Sequence, residues 1–564
     1  MTLSSVEQSV LHRHLKAVCH LNYAAHSSLT GKKQRQLGFI LGAGASHDLE
    51  IPAWNKLLDA IECELSYKTS DKSAPQSYRG EQMFQFFRKK QLATLEISDR
   101  DVKEASVNTS WRKIVSKFLY EHYLKNERED TEAYKAALTG HEYLMEIANI
   151  AIELDLVITH NFDNALEVAV SMVESQRAPN RRFHSFWKPD PFLRPDVLNV
   201  YHPNGYIPTE GFKGSDSIVL TEANFADHLA NTNNVEASFL LGHLSNKTWL
   251  IIGHSLADGT LKNALRLHAG RRPGHISYYV HFLAEGEGAL SPEQREAIRE
   301  ANFTTYNLYT LFLNSCEIAG LLRLIKREPG DLKSEIVLSG LKPRFVYYMC
   351  GAVSSGKSTI LSHLRSVATV EEWPDRMPTA MNKFSMDTTL EEKTDINEKL
   401  NVAIFNKNEE IDNIKVGIVV VDRAPLDFIA FPDFDEEDPA TTAKKRYEKV
   451  LKPFVEANFV NLCPGQVIVI QAEPITLLER QIQRGRPPRD EDPTSDKTLQ
   501  VLKRQQEVML DIYDPVIKLG STTWGYCCSI AEGVQDVIRI IFFGEYHPFD
   551  FGARLGAFLE RAAP

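Results

Sequence analysis

Gly351-Ala-Val-Ser-Ser-Gly-Lys-Ser358 decides how this chain is read. In the pattern Gly-x-x-x-x-Gly-Lys-Ser, glycines let backbone N–H groups turn inward around phosphates. Lys357 reaches the terminal phosphates, and the Ser358 hydroxyl is suited to binding Mg²⁺. The flanks agree: Phe345–Met349 reads as a buried strand entering the loop, and Thr359–Val367 as the helix leaving it. Gly351, Ser355, Gly356, Lys357, Ser358 and Thr359 are therefore the expected contacts to a nucleotide, with ATP the expected ligand.

Downstream, Val416–Val421 and Gln466–Ile470 read as further strands of the same parallel sheet. Asp422 follows the first of them, at the strand end where ligands gather in open α/β sheets. It suits Mg²⁺ binding or proton acceptance, or is a solvent-facing carboxylate after a strand. Glu479–Arg489 carries four arginines, among them Arg484 and Arg486, which suit the charge on a transferring phosphoryl group or simply end a solvated helix. The acidic stretch Asp433–Asp438 reads as a solvated loop.

Upstream, Glu328-Pro-Gly-Asp331 breaks the pattern, so the expected organisation is a domain at 1–328, a linker at 329–341 and a second domain at 342–564. The first domain opens with Leu37-Gly-Phe-Ile-Leu-Gly-Ala-Gly-Ala-Ser46, a strand running into a glycine turn. Helix-forming sequence fills about 77–153 as an insertion. Strand signals return at Leu154–Thr159, Val197–Tyr201, Ser217–Leu220, Thr248–Ile252 and Ile276–Leu283, and Leu308–Lys326 reads as a closing amphipathic helix. The predicted class is α/β, with two parallel-sheet domains.

The totals bound the function. A chain of 564 residues exceeds one hydrophobic core. A net charge of -11 argues against general nucleic-acid binding. Seven scattered cysteines without a C-x-x-C pair speak for reduced thiols and against a zinc ribbon. The N-terminus lacks a signal peptide's apolar core, and no run is long enough to span a membrane, so a cytoplasmic location is expected.

Over about Lys342–Phe543 the chain resembles the nucleoside and nucleotide kinase branch of P-loop proteins, on the strength of the loop, Asp422-Arg423 and the arginine-rich segment. The first domain carries a different ordered set: Gly42–Ser46, Thr159-His-Asn-Phe-Asp163, Tyr201-His-Pro-Asn-Gly205, Ile218–Phe225 and Gly253-His-Ser-Leu-Ala-Asp258. Together, over about Leu37–Leu267, these are similar to the sirtuin-like (SIR2) family, particularly its bacterial defence-associated members. A Rossmann-like fold is implied.

That resemblance implies that Gly42, Ala43, Gly44, Ala45 and Ser46 hold the pyrophosphate of NAD. His47 stands where a third glycine is usual. Asn161 would position the nicotinamide ribose and a water, and Asp163 would steady the loop. Gly253, Ser255 and Asp258 would line the ribose and adenine side. The family's catalytic histidine directly precedes the glycine, and here Asn204 occupies that position. Three readings stand: His202 substitutes, the enzyme works slowly without a base, or Asn204 disables it. The plain alternative for His202 is packing beside the strand end.

The missing paired cysteines shift the implied activity from protein deacylation toward NAD hydrolysis. The fusion then implies an anti-phage effector, a homo-oligomer whose P-loop domain senses a nucleotide or phage-derived trigger. A bifunctional metabolic kinase with an NAD-sensing domain, or an inactive regulator binding NAD and ATP, are the alternatives.

Overall fold

Apolar runs bounded by turns build a seven-stranded parallel sheet in the first part of the chain. In chain order the strands are β1 (Leu37–Leu41), a small antiparallel ribbon of β2 (Leu124–Lys125) and β3 (Arg128–Glu129), then β4 (Leu156–Thr159), β5 (His184–Phe186), β6 (Asn199–Tyr201), β7 (Thr248–Ile252), β8 (Ser277–Phe282) and β9 (Leu308–Leu313). The ribbon stands apart, and the sheet order is β5-β6-β4-β1-β7-β8-β9. β1 pairs in parallel with β4 on one side and β7 on the other, so the order reverses at β1. In open α/β sheets the crevice outside the strand ends at such a reversal receives ligands. The computed structural model describes residues 3–561 except 28–34, 70–71, 126–127, 130, 178–182, 191–192, 196, 210–213, 216–217, 225–234, 257–258, 284–289, 374–388, 431–438, 484–495, 515–516 and 521–528.

Both faces of the sheet are covered, which is why its central strands β1, β4 and β7 are near-continuous apolar runs, polar only at Thr159 and Thr248. Ile40, Leu156, Ile158, Trp249 and Ile251 face helices Val235–Leu244 and Gly259–Arg271. Phe39, Leu41, Val157, Leu250 and Ile252 alternate to the other face and are equally buried. Gly38 pairs with Trp249 across the register, and a Cβ there would lie 2.6 Å from the indole. Helix Ser5–His26 starts with a Ser4–Glu7 capping box and packs on helix Ser315–Lys326, which Asn314 and Glu317 cap in the same way. The inserted region forms helices Gln76–Thr94, Arg100–Leu119, Thr131–Gly140 and Glu142–Ala151. Among the described residues no helix is long and apolar enough to cross a membrane.

The chain divides into two compact units, Met1–Glu328 and Pro329–Pro564. The second holds a five-stranded parallel sheet of β10 (Arg344–Gly351), β11 (Ala368–Val370), β12 (Gly417–Asp422), β13 (Gln466–Gln471) and β14 (Ile517–Gly520), in the order β11-β12-β10-β13-β14. β10 is central, and the glycine loop leaves its carboxyl end for helix Lys357–His363.

Three expectations change. Leu308–Lys326 is not one helix: its aromatic, β-branched start joins the sheet as β9, and Asn314 then caps the helix. Ile218 and Leu220 are buried but Ile218–Leu220 is not a strand; its backbone meets Asn204 through one bond, from Val219 N to Asn204 O at 2.8 Å. The segment expected as a linker is a helix at Pro329–Leu338, because proline is tolerated in a first turn whose N–H groups have no intrahelical partner.

Two glycine substitutions should act with opposite sign. A Cβ at Gly80, within helix Gln76–Thr94, would meet the Leu220 carbonyl oxygen at 2.1 Å. Gly80→Ala is expected to destabilise by about 1–3 kcal/mol through overpacking. Gly242, within helix Val235–Leu244, has nothing within 4 Å, and Gly242→Ala is expected to stabilise by about 0.5–1 kcal/mol. Thermal unfolding midpoints that move in the same direction would contradict the packing described here.

Candidate active site and nucleotide site

The glycine turn after β1 packs directly on the turn after β7. Gly42 N donates to Ile252 O at 3.0 Å, and Gly44 N donates to Gly253 O at 2.8 Å. A Cβ on Gly42 would lie 2.6 Å from Gly253 O, and one on Gly253, where φ is +71°, would lie 2.1 Å from Ala45 N. These glycines are thus required by the contact of two backbones, whatever ligand follows. From Ala43 the chain coils as a 3₁₀ turn to Leu49, with Ser46 buried inside it and His47 exposed. The Tyr143 hydroxyl, from the inserted region, donates to Gly44 O at 2.9 Å.

Beside this turn a hydrogen-bond chain has only one consistent direction. Ser46 Oγ lies 3.3 and 3.2 Å from the two Asp163 carboxylate oxygens, which only accept when ionised. The hydroxyl proton is committed to Asp163, so Ser46 Oγ accepts from Asn161 Nδ2 at 3.0 Å. The amide orientation follows: Asn161 Oδ1 turns away from Ser46. It is buried and has no hydrogen-bond partner among the described residues. Asp163 also accepts from Ala165 N at 3.0 Å, at the start of helix Ala165–Arg177. Burial pushes the Asp163 carboxyl up to about 6.

His202 points into the protein. Its ring is 0% exposed, with Nδ1 3.1 Å from Asn161 O and Nε2 2.7 Å from Glu167 Oε1. A carbonyl can only accept, so Nδ1 donates, and Nε2 shares one proton with the carboxylate. His202 therefore holds the Asn161 backbone in place, and neither ring nitrogen faces a water. Asn204 Nδ2 donates to His160 O at 3.2 Å. Ser255 is exposed after β7, and His254 Nδ1 accepts from Leu256 N at 3.0 Å.

In the second unit the loop wraps around its own lysine. Lys357 Nζ donates to Gly351 O at 2.7 Å and Ala352 O at 3.0 Å, and burial brings its ammonium down to about 8. Gly356, with φ +104°, and Ser354, with φ +65°, turn the loop. Ser358 Oγ donates to Asp422 Oδ2 at 3.4 Å, while Asp422 Oδ1 is buried without a hydrogen-bond partner among the described residues. Burial raises the Asp422 carboxyl. Lys407, from helix Leu390–Asn413, donates to Asp422 O at 2.7 Å. Arg423, held at φ +66°, pairs with Glu372 and lies 3.7 Å from Asp427, which also accepts from the Tyr513 hydroxyl at 2.7 Å.

Of the arginine-rich segment, Arg480 reaches the loop, with Nη1 3.4 Å from Ser355 O. Arg484, Arg486, Asp258 and the acidic stretch at 433–438 lie outside the described residues. Sequence reading passed over Glu167, Glu372, Lys407 and Asp427. A glutamate in the apolar run Ala165–Val170 was a visible signal for Glu167, whereas nothing in the pattern around Lys407 marks it.

A hydroxyl beside a buried carboxylate with an unshared oxygen forms a hard oxygen set, which suits Mg²⁺ when phosphate oxygens complete the coordination. No curated protein matches the sequence. Two solved structures of deoxyadenosine kinase from M. mycoides are similar, each at 16% identity and a TM-score of 0.24. The one with bound dATP covers 38% of this chain and 97% of its own, and the one with bound dCTP 35% and 100%. So slight a likeness has no bearing on function. Residues 155–307, from the strand that carries Asn161 to the end of the helix before β9, match the SIR2-like domain family.

Proposed function

We propose that the first unit is an NAD glycohydrolase and the second an ATP-binding, kinase-like unit that controls it, together forming an anti-phage effector. The observation that carries the first part is the buried Asn161 Oδ1 at the sheet reversal, without a hydrogen-bond partner among the described residues and oriented by Ser46 and Asp163. A carbonyl oxygen fixed this way accepts a hydrogen bond from a ribose hydroxyl or from the attacking water. Cleavage of the nicotinamide bond develops an oxocarbenium-like ribose, as in glycoside hydrolysis. Neutral nicotinamide leaves readily, so orientation of the ribose and the water is the main contribution of this chain. Gly42–Ser46 and Gly253 supply the backbone beside the pyrophosphate, and Ser255 lines the ribose side. Asp258 belongs to the same proposed set.

Control by the second unit rests on Lys357, Ser358 and Asp422, which suit a nucleotide triphosphate with Mg²⁺. Ser355, Gly356 and Thr359 surround the same loop, and Arg480 is the described member of the arginine segment. The fusion supports a switch: a toxic NAD-consuming unit needs one, and a ligand that favours one state of the chain supplies it. Phage infection that triggers NAD loss and growth arrest only in cells carrying the intact chain is the expected phenotype.

Asn161→Ala should lower nicotinamide release at least about 100-fold while far-UV circular dichroism stays native. Equal release by the folded variant would refute the assignment. For the P-loop, Lys357→Ala should weaken ATP binding by about 2 kcal/mol or more, roughly thirty-fold, by calorimetry at fixed Mg²⁺. Phosphate favours the charged ammonium, so wild-type ATP affinity should fall as pH rises through about 8, where free Lys357 loses its proton. In Lys357→Ala that dependence should vanish. Regulation is tested by nicotinamide release from the full chain and from residues 1–328, with and without ATP. Identical rates under every nucleotide condition would leave two enzymes sharing a chain.

A further inference from the structure

We infer that the chain Asp163–Ser46–Asn161 is a proton-operated switch: the charge on Asp163 decides which end of the Asn161 amide is turned away from Ser46. The inference rests on the NAD-cleaving reading above, in which that end meets a ribose hydroxyl or the attacking water, and it names what regulates the same site. One hydroxyl proton sets the direction of the whole chain. Ser46 Oγ lies 3.3 and 3.2 Å from the Asp163 oxygens and 3.0 Å from Asn161 Nδ2. An ionised carboxylate only accepts, so the Ser46 proton points to Asp163 and a Ser46 lone pair faces Asn161. The amide then gives Nδ2 to Ser46 and turns Oδ1 away. A reversed amide would set two oxygens face to face with no proton between them.

Protonation of Asp163 removes that constraint. Oδ1 accepts from Ala165 N at 3.0 Å, so the proton goes to Oδ2, which lies 3.2 Å from Ser46 Oγ and now donates to it. The Ser46 proton is released from the carboxylate and can meet Asn161. An amide turned over, with Oδ1 toward Ser46 and Nδ2 away, is then satisfied along the whole chain. The reversal exchanges oxygen and nitrogen within one outline, so the fold has no part in resisting it. The end turned away from Ser46 becomes a donor where the cleavage needs an acceptor.

The groups that face Asp163 come from several elements. Glu167 lies on helix Ala165–Arg177, His202 and Tyr206 follow β6, and Tyr120 and Tyr134 come from the inserted region. Burial raises all three phenols, so none of them changes charge near neutrality. The pair Glu167–His202, 2.7 Å apart, is the remaining titratable neighbour among the described residues. Burial holds the Asp163 carboxyl at about 6, so activity is full with Asp163 ionised and is lost as pH falls through that value.

The test is nicotinamide release by the full chain across pH, within the range where far-UV circular dichroism stays native. Wild-type kcat/KM, which reports the free enzyme, should be level above about 7 and fall about tenfold per pH unit below about 6. Asp163→Asn can keep the bond from Ala165 N while donating to Ser46, so it copies the protonated state at every pH. Its rate at about pH 8 should be down about tenfold or more, the order of one directed hydrogen bond, with the acid limb gone. Adding Asn161→Asp to Asp163→Asn puts an oxygen at both ends of the side chain at 161, so an acceptor faces away from Ser46 again. Part of the lost rate should return. An aspartate that merely supported the fold would not be repaired from the far end of the chain. Should Asp163→Asn fail to fold, Ser46→Ala, which removes the relay, carries the same expectation for the limb. A level wild-type profile down to about pH 5, or a limb that persists in either folded variant, would overturn the inference. So would Asp163→Asn within about twofold of wild type, or a double variant no faster than Asp163→Asn. In those cases Asn161→Ala would still be inactive and the glycohydrolase reading would stand. A folded wild type that releases no nicotinamide at any pH would fail that reading, and the inference with it.

Discussion

The first unit depends on one close contact, the backbone of Gly253 lying against Gly42, Gly44 and Ala45. Two strand ends on adjacent strands of a parallel sheet normally splay apart, each carrying its own turn. Here they are laced by amide–carbonyl bonds too short to admit a side chain. The lacing fixes the glycine turn, which places Ser46, which takes the amide of Asn161 and so decides where Asn161 Oδ1 points. Tyr143 holds the same turn through Gly44 O, so the inserted region braces the site.

The site carries an energetic cost that its position explains. Two carboxylates and an imidazole are buried together: Asp163, Glu167 and His202. Burial raises the Asp163 carboxyl from 3.8 to about 6. For a carboxyl with a raised folded value, the folded state binds the proton more tightly than the unfolded chain does. The associated stability is therefore full below about 4 and is lost as pH rises through about 6, the reverse of an ordinary salt-bridged aspartate. At neutral pH the chain keeps an ionised Asp163 that disfavours the folded state. What that ion does in return is hold the Ser46 proton, without which the direction of the Asn161 amide is undetermined.

The strand cores and both glycine turns were legible because they are local: apolar runs of five to eight residues ending in glycine and a polar residue carry their own signal. Leu308–Leu313 misled because a short apolar run has no period to separate strand from helix, and only pairing with β8 makes it a strand. The Ser217–Leu220 reading misled in the other direction: among its described residues Ile218 and Leu220 are buried outside any sheet, with the Leu220 carbonyl lying against Gly80 of the inserted helix. His202 was read either as a substitute base or as packing beside the strand end. Its orientation was beyond reach, because the partner that turns it inward, Glu167, is 35 residues away in sequence. Lys407 was invisible for the same reason, since its bond to the Asp422 carbonyl exists only once a helix packs beside β12.

The two sites keep polar groups ready for a ligand in opposite ways. In the second unit Lys357 satisfies itself, donating to carbonyls of its own loop, so a phosphate must exchange for bonds already made. That exchange costs little, because loop carbonyls are neutral acceptors and a phosphate is a charged one. The exchange also releases the backbone from the lysine, which couples occupancy to loop shape. In the first unit Asn161 Oδ1 has no such partner among the described residues, and the bond from Asn161 Nδ2 to Ser46 keeps the amide from turning toward one. An exchangeable contact suits a site that must report which ligand is present. A fixed, unsatisfied oxygen suits a site that must meet a developing charge without moving. The two loops thus differ in a way that accords with the proposal, an exchangeable contact in the unit at 329–564 and a fixed oxygen in the unit at 1–328.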